Sequence, residues 1–361
     1  NLAYTRGTTI AATCTVDTYF PVKSFNDFNG GALYLGRDLF FDNVSSLGSA
    51  GKIYGNGYTI HFPSTNNTVG IPSSADRGGE LTLLDSTSDS LNVVNSVDWS
   101  SDDLYIGVGS RNNSLRIYAF NDESITDVAA TSLGFTVRMV RWHPSDYYIA
   151  AASDDTDVNV RVYEFTPPSS LTLTDSARLA EGSTGAGVAW SPNGKYLAAT
   201  SRSSPNKIKV YSFADGELTF LDESYFSNGN GSTNSLDWNL DGDAIAFSTD
   251  QADILVYNFD GTSLSISTSV HVAGVNIVKE VSWKKEIPYK DLLLASASGP
   301  ASATVQHLTI YSYQNDTLQE VASEDGRNFL ACDWAPFGNR MCFGREGGGG
   351  NQFYVNYFDP N

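Results

Sequence analysis

The chain has 361 residues, of which 41% are hydrophobic, 12% aromatic and 17% charged, which is enough apolar surface for an extensive folded core. Its formal net charge of −19 and its pI of about 4.4 disfavour binding to nucleic acid or to anionic membrane surfaces, and no Lys/Arg cluster offsets this charge. No apolar run approaches the roughly 20 residues that cross a bilayer, and no stretch has the period of a long amphipathic helix.

Residues 1–62 contain no Trp and consist of short apolar runs that end at Gly and Asn. Within 30–42 the apolar residues alternate, for example Leu33 and Leu35, as they do in a strand with one buried face. The corner at Gly55-Asn56-Gly57 resembles the bends of a right-handed parallel β-helix. We therefore predict a small solenoid-like β module at 1–62, and an additional irregular blade of the repeat described below is the alternative.

Residues 63–79 are rich in Pro, Ser, Asn and Gly, and we predict that they form a linker. The segment that follows, Glu80-Leu-Thr-Leu-Leu-Asp85, nearly duplicates Glu217-Leu-Thr-Phe-Leu-Asp222. Leu81 and Leu83 occupy alternate positions in it, so we predict a strand at 80–85.

From residue 80 to the C-terminus the chain repeats a unit that is marked by a tryptophan. The tryptophans are 43 to 51 residues apart, which is the period of a blade-forming repeat: Trp99, Trp142, Trp190, Trp238, Trp283 and Trp334. An apolar residue precedes each Trp by two positions and therefore shares its strand face. A turn such as Ser191-Pro-Asn-Gly194 follows, then a strand of small residues, then a strand that ends in an aromatic pair.

Five of the six units continue into a polar, alternating fourth strand, and the sixth, which runs to Asn361, does not. The segment at 80–85 supplies the missing copy. We therefore predict that Glu80, Leu81, Leu83 and Asp85 complete the last unit and close the ring, which would remove an exposed sheet edge.

The units at 80–361 resemble the WD-repeat family and, to a lesser degree, the six-bladed propellers of periplasmic Tol-type proteins. The best match is Trp190-Ser-Pro-Asn-Gly-x-x-Leu-Ala198. The family's Gly-His dipeptide is missing, and Tyr-x-Phe replaces its Trp-Asp. The resemblance implies an all-β fold, a six-bladed β-propeller closed by an N-terminal outer strand, and the alternative is seven blades.

No catalytic residue, cofactor site or metal site is predicted, because no motif with the required spacing occurs. The four histidines fall in separate parts of the chain: His61, His143, His271 and His307. His143 follows Trp142 at a turn, where a turn-forming role is favoured. Asp241 and Asp243, like the Asp154-Asp155 pair, suggest Ca²⁺, but the further ligands of a calcium loop are absent. Diffuse binding of Ca²⁺ by the acidic surface remains the alternative.

The three cysteines are too few for a disulfide framework. Cys332 takes the position that Val or Leu has in the other units, Cys342 aligns with Ala150, and Cys14 is in phase with Val16. We predict three small buried side chains. A bridge between Cys332 and Cys342 is the alternative, and a one-residue change of register decides between the two.

Two functions are consistent with this pattern. The first is a non-catalytic scaffold, secreted or on the cell surface, which binds protein partners or copies of itself and forms a homo-polymer or fibre through the N-terminal module. The second is a propeller enzyme of the glycoside hydrolase or lyase type, with a site at the central channel. Asp98, Asp237 and Asp333 precede Trp in three units, and this recurrence favours a structural role and hence the scaffold.

Overall fold

The computed structural model divides the chain into two compact units, Asn1–Leu83 and Leu84–Asn361. The part of the chain that the structure describes comprises 8–10, 14–16, 25–28, 32–35, 39–40, 52–54, 60–61, 93–121, 124–202, 206–226, 232–273, 275–284, 292–300, 307–325, 329–334, 340–345 and 353–357. Every regular element in these ranges is a β-strand, as predicted. Within the same ranges, no helix has the length and apolarity that a membrane span requires.

The described strands of the first unit pair in parallel. They are β1 (Thr8–Ile10), β2 (Cys14–Val16), β3 (Phe25–Phe28), β4 (Ala32–Leu35), β5 (Leu39–Phe40), β6 (Lys52–Tyr54) and β7 (Ile60–His61). β1 pairs with β3, β5 pairs with β7, and β4 lies between β2 and β6. Cys14 lies beside Leu33, and Leu33 lies beside Ile53, so paired positions recur about every twenty residues. The strands predicted here are present, and their arrangement as a β-helix stays a prediction.

The described strands of the second unit form six antiparallel sheets. Sheet 1 is β8 (Val94–Trp99), β9 (Tyr105–Ser110), β10 (Ser114–Phe120) and β11 (Ile125–Ser132), and sheet 2 is β12 (Val137–Trp142), β13 (Tyr148–Ser153), β14 (Val160–Thr166) and β15 (Ser170–Ala177). Sheet 3 is β16 (Gly185–Trp190), β17 (Tyr196–Ser201), β18 (Lys207–Ala214) and β19 (Glu217–Tyr225), and sheet 4 is β20 (Thr233–Trp238), β21 (Ala244–Thr249), β22 (Asp253–Phe259) and β23 (Leu264–His271). Sheet 5 is β24 (Val275–Trp283), β25 (Leu292–Pro300), β26 (His307–Gln314) and β27 (Thr317–Asp325), and sheet 6 is β28 (Phe329–Trp334), β29 (Arg340–Arg345) and β30 (Phe353–Tyr357).

Each sheet follows the chain from one strand to its neighbour, and successive sheets pack against each other. The first strand of every sheet, here called the inner strand, lies beside the first strand of the next sheet, from β8 to β28. The hydrophobic clusters lie between neighbouring sheets, and the largest joins sheets 2, 3 and 4. Sheets that pack face to face in chain order around their inner strands form a β-propeller. The predicted linker 63–79 and the predicted closing strand 80–85 lie outside the described residues.

The turn after the inner strand depends on the residue that follows the tryptophan. In sheet 3 the Ser191 hydroxyl accepts the Tyr196 N–H at 3.0 Å, and Gly194 has a φ of 70°. In sheet 4 the Asn239 side chain accepts the Ala244 N–H at 3.0 Å, and Gly242 has a φ of 72°. Glycine suits this left-handed backbone, which explains the turn signature in the sequence.

The outer strands of sheets 1 to 5 share a bulge, which in sheets 2 and 3 positions a carboxylate that accepts a hydrogen bond from the next sheet. The register of β19 shifts where Val210 pairs with Asp222 and Tyr211 with Phe220, and the outer strands of sheets 1, 2, 4 and 5 shift at the corresponding place. The Asp222 carboxylate then accepts the Leu264 N–H of sheet 4 at 2.8 Å. The carboxylate of Asp175, its counterpart in sheet 2, accepts the Leu218 N–H near the start of β19 at 2.7 Å. The outer strands of sheets 2, 3 and 4 are thus linked to one another by hydrogen bonds.

A packing contact joins the second strand of one sheet to the next sheet. On the second strand of every sheet, the residue that pairs with the residue just before the tryptophan is small: Gly107, Ala150, Ala198, Ala246, Ala295 and Cys342. A Cβ atom added to Gly107 would overlap Ile149 Cδ1 and lie 3.0 Å from Trp142 Nε1. The small residue therefore makes room for the tryptophan and the aliphatic side chain of the next sheet.

The register of sheet 6 shows whether Cys332 and Cys342 can form a disulfide bridge. Cys332 pairs with Phe343, whereas Cys342 pairs with Asp333, so the two cysteines are one residue out of register. Cys332 is buried and forms no disulfide. The alternative of a bridge between Cys332 and Cys342 is therefore wrong, and the buried position predicted for Cys332 is confirmed.

We expect Gly107→Val to destabilise the protein by about 1–3 kcal/mol, because the added side chain overpacks the contact between sheets 1 and 2. Chemical denaturation monitored by circular dichroism would measure the loss. Thr126→Val on the exposed outer strand of the same sheet is the control and should leave the midpoint nearly unchanged. Equal stability of both variants would show that Gly107 has no packing role.

Candidate functional site: the inner strands of the propeller

The six tryptophans end the six inner strands, as the sequence predicts. Five are buried: Trp142, Trp190, Trp238, Trp283 and Trp334. In contrast, Trp99 of sheet 1 is 46% exposed, and Val97 on the same face is 58% exposed. Among the described strands, β28 does not lie against β8 in the way that successive inner strands lie together. No described strand therefore covers the face of sheet 1 that bears Trp99.

Three of the five contacts between successive inner strands use the tryptophan side chain. The indole Nε1 donates a hydrogen bond to the carbonyl oxygen of the residue before the tryptophan of the preceding sheet. The pairs are Trp190 with Arg141, Trp238 with Ala189 and Trp334 with Ser282, at 3.0, 3.0 and 3.1 Å. We call this the indole contact.

The other two contacts use an aspartate instead. Asp98 Oδ2 accepts the backbone N–H of Trp142 at 2.6 Å, and Asp237 Oδ2 accepts that of Trp283 at 2.9 Å. The buried indole Nε1 atoms of Trp142 in sheet 2 and Trp283 in sheet 5 have no hydrogen-bond partner in the described structure. We call this the carboxylate contact. It occurs in the two cases where an Asp precedes the tryptophan of the earlier sheet.

The carboxylate contact belongs to a five-residue motif, Asn-Ser-x-Asp-Trp, at 95–99 and 234–238. Asn95 and Asn234 each donate to a carbonyl oxygen near the start of the next inner strand, at 2.8 and 2.9 Å. The two Ser hydroxyls lie 3.4 and 3.5 Å from a further carbonyl of that strand. Sequence reasoning noted the Asp-Trp pairs but missed the motif, although its two near-identical copies could have revealed it.

His143 links two turns. Its Nδ1 accepts the Asp146 N–H at 3.1 Å within its own turn. Its Nε2 lies 2.9 Å from the Gly194 carbonyl oxygen in the turn of sheet 3, so a hydrogen on Nε2 satisfies both contacts. A Cβ atom on Gly194 would overlap the ring. This geometry agrees with the predicted turn role and adds a link to the next sheet.

Three of the four acidic residues considered for Ca²⁺ contact neighbouring side chains. Asp154 pairs with Arg138, and Asp155 pairs with Arg161 at 2.6 Å. Asp243 accepts a hydrogen bond from the Asn239 amide at 2.7 Å. Among the residues that the structure describes, no three His, Cys, Asp or Glu side chains form a group that could hold a metal ion.

Glu280 of β24 is an inner-strand carboxyl with a strongly raised pKa. Desolvation by the surrounding strands raises the pKa of Glu280 to about 7, Arg141 opposes this rise, and Asp333 and Asp237 add to it. These groups come from sheets 2, 6 and 4, so several inner strands converge on Glu280. A carboxyl with a pKa near 7 could exchange protons at neutral pH, which sequence reasoning did not foresee.

The comparisons with known proteins agree with the fold. The WD domain, G-beta repeat family matches residues 81–119, a stretch that runs from the predicted closing segment through β8 and β9 and into β10. No curated protein matches the chain.

Three solved structures illustrate the similarity. The β-propeller domain of Myceliophteria thermophila Cps50 (Swd1) is 12% identical, with a TM-score of 0.57 over 74% of this chain and 84% of that one. A protein from Lactobacillus plantarum is 13% identical, with a TM-score of 0.62 over 74% and 81%. A chain of a mitotic checkpoint complex is 17% identical, with a TM-score of 0.57 over 74% and 76%. At these identities the likeness shows the fold alone, a β-propeller.

We expect Asp237→Ala to cost about 1–3 kcal/mol of stability, because the Trp283 N–H loses its acceptor inside the protein. Urea denaturation would measure the change, with Asp241→Ala at the exposed turn of the same sheet as the control. A loss no larger than that of the control would mean that the carboxylate contact does not stabilise this pair of sheets.

Glu280 should make stability depend on pH. Its pKa is raised from 4.5 to about 7, so the folded protein binds the proton more tightly than the unfolded chain does. Stability should therefore fall as the pH rises from about 4.5 to about 7 and then level off. Glu280→Gln should remove this decline and stabilise the protein at pH 8 by about 1–3 kcal/mol. Parallel slopes in the two proteins would contradict the raised pKa.

Proposed function

We propose that this chain is a non-catalytic interaction scaffold, secreted or on the cell surface, which binds protein partners and assembles with copies of itself. The acidic, Lys-poor and Ser/Thr/Asn-rich composition supports an exposed location. The propeller fold supports a binding role, because its sheets present many loops and edges from one rigid body.

The observation that carries this proposal is the use of the polar inner-strand residues. A catalytic site at the channel would need carboxylates directed at a substrate. Instead, Asp98 and Asp237 accept backbone N–H groups of the next sheet, and Asp333 accepts the Ser282 hydroxyl at 2.7 Å. These carboxylates therefore hold the sheets together.

The outer strands offer apolar side chains for a partner. Leu173, Phe220 and Ile266 are 50%, 50% and 60% exposed, in sheets 2, 3 and 4. Each lies opposite a tyrosine at the same register position, beside the bulge of its strand. Exposed apolar residues that recur at one position on neighbouring sheets favour a protein-binding rim over chance exposure.

The proposal includes a ring of six blades in which residues 80–85 are the outer strand of sheet 6. The match to the WD repeat begins at Leu81, which supports reading this segment as part of a repeat. Asp85 aligns with Asp222, whose carboxylate accepts the N–H that starts the next outer strand. The corresponding partner of Asp85 would be the Ile125 N–H at the start of β11.

Self-assembly is proposed to use the first unit. Its described strands pair in parallel, those of the β2-β4-β6 sheet without a register shift, and β2 and β6 are the outer strands of that sheet. A stack of only a few repeats is unstable by itself, because each repeat is stabilised by its neighbours. An open sheet edge can also receive a strand from another chain. A contact of this head-to-tail kind that does not close on itself extends into a fibre.

A channel enzyme of the glycoside hydrolase or lyase type is the second candidate, and the raised pKa of Glu280 is the observation in its favour. The two proposals differ in what Glu280→Gln does. A scaffold that carries this substitution retains its assembly and gains stability above neutral pH, whereas an enzyme that carries it loses a group that exchanges protons at pH 7.

Negative-stain electron microscopy of the full chain tests the scaffold proposal. We expect fibres or large oligomers, and we expect Ile53→Pro and Tyr54→Pro to abolish them, because proline in the edge strand β6 removes backbone hydrogen bonding. The unfolding of the second unit should be unchanged in both variants. Dispersed monomers of the unmodified chain at all concentrations would refute self-assembly.

A further inference from the structure

The chain contains several Asn-x-Ser/Thr sequons, the acceptor signal for N-linked glycosylation. They begin at Asn43, Asn66, Asn112, Asn230 and Asn315. The sequons of Asn112 and Asn315 lie in the part of the chain that the structure describes, and the asparagines of the other three lie outside it. All of them satisfy the same sequence rule, so only the surroundings of each side chain can distinguish one from another.

Asn315 lies at the tip of the hairpin between β26 and β27. Gln314 pairs with Thr317, so Asn315 and Asp316 are the two residues of the loop, and both have a positive φ, of 48° and 58°. Asn and Asp are favoured in such two-residue loops because they tolerate this backbone conformation. Asn315 and Thr317, the first and third residues of the sequon, are both exposed. The asparagine and the hydroxyl that a transferase must recognise therefore lie at the surface.

The second loop residue, Asp316, fixes the hairpin tip to the neighbouring sheet. Its Oδ1 accepts hydrogen bonds from the Asn258 amide at 2.8 Å and from the Ser267 hydroxyl at 2.7 Å, both in sheet 4. Among the described residues, the Asn315 side chain makes no hydrogen bond, and its backbone oxygen lies 3.4 Å from the Thr317 hydroxyl. A glycan on the Asn315 amide would therefore displace no contact that holds this part of the fold.

Asn112 has the same signal in different surroundings. Its Oδ1 accepts hydrogen bonds from the hydroxyls of Ser110 and Ser114, the latter at 2.6 Å. Ser110 is buried, and Asn112 and Ser114 are half-buried. Ser114 is also the third residue of the Asn112 sequon, so the structure uses the amide and the hydroxyl of this sequon to hold the turn between β9 and β10. A glycan at Asn112 would have to disrupt that turn.

We infer that Asn315 is a site of N-linked glycosylation and that Asn112 of the folded protein is not. The co-reactant is a lipid-linked oligosaccharide. Nδ2 of Asn315 forms a bond to the anomeric carbon of the sugar and loses one proton, and the bond from that carbon to the lipid phosphate oxygen breaks, with its electron pair leaving on the phosphate. This inference rests on the proposed secreted or cell-surface location, where such donors are used, and not on self-assembly.

Mass spectrometry of the secreted full chain tests the site. The chain is produced behind a cleavable secretion leader in cultured eukaryotic cells, and its peptides are compared before and after peptide:N-glycosidase, which converts a glycosylated Asn to Asp. We expect most molecules to carry a glycan at Asn315 and the Asn112 peptide to be unmodified. An unmodified Asn315 in the secreted chain would overturn the inference, and equal occupancy at Asn112 and Asn315 would overturn its structural basis.

The exposed Thr317 offers a matched pair of variants that leave Asn315 in its loop. Thr317→Ala removes the hydroxyl of the sequon and should abolish the glycan, whereas Thr317→Ser should retain it. Both variants should keep the urea midpoint of the unmodified chain, because Thr317 is exposed. A glycan that persists in Thr317→Ala, or that is lost in Thr317→Ser, would contradict the assignment.

Immunolocalisation in the cells that naturally make this protein tests the proposed location separately. A chain that never enters the secretory route would refute the location itself. An unmodified Asn315 in a chain that is secreted would refute the glycosylation site alone, so the two failures can be told apart.

Discussion

The packing of a tryptophan from one sheet against a small residue of the sheet before it is the contact on which the propeller depends. Gly107 has no Cβ where Trp142 and Ile149 approach, and Ala or Cys takes the same place in the other sheets. Close packing of this kind leaves little tolerance for added atoms. The backbones of neighbouring inner strands therefore come close enough for a polar contact beside the tryptophan, either through its indole or through an aspartate.

These polar contacts decide how the function is interpreted. Aspartates near the axis of a propeller suggest catalysis when they are seen only in the sequence, but Asp98 and Asp237 bind backbone N–H groups of the next sheet. Glu280 differs from them, since burial near other carboxylates raises its pKa without placing it in a described hydrogen bond. Binding is consequently proposed for the outer rim and assembly for the first unit, where the chain leaves apolar side chains and parallel strands outside the repeated contacts.

Much of the fold follows from the sequence because its cause is local. The tryptophan spacing, the alternation before each Trp and the Gly at the turns predict the sheets of the second unit, and the strands are found there. The links between sheets could not be derived, because they join residues more than 40 positions apart and depend on register. The position of Cys342 beside Asp333 rather than Cys332 is a case that register alone decides. The exposure of Trp99 is another feature that local sequence could not reveal. Trp99 and Trp238 end the same five-residue motif, yet Trp99 is exposed and Trp238 is buried, because, among the described strands, only Trp238 packs against a neighbouring sheet.

Nuclear magnetic resonance of the indole N–H groups in protein labelled with ¹⁵N-tryptophan tests the central claim most directly. Trp190, Trp238 and Trp334 donate to carbonyl oxygens, whereas Trp142 and Trp283 have no described acceptor. We expect the three donating indoles to resonate downfield of the two others, with single Trp→Phe variants for assignment. Indole shifts that fail to separate these groups would contradict the division into indole and carboxylate contacts.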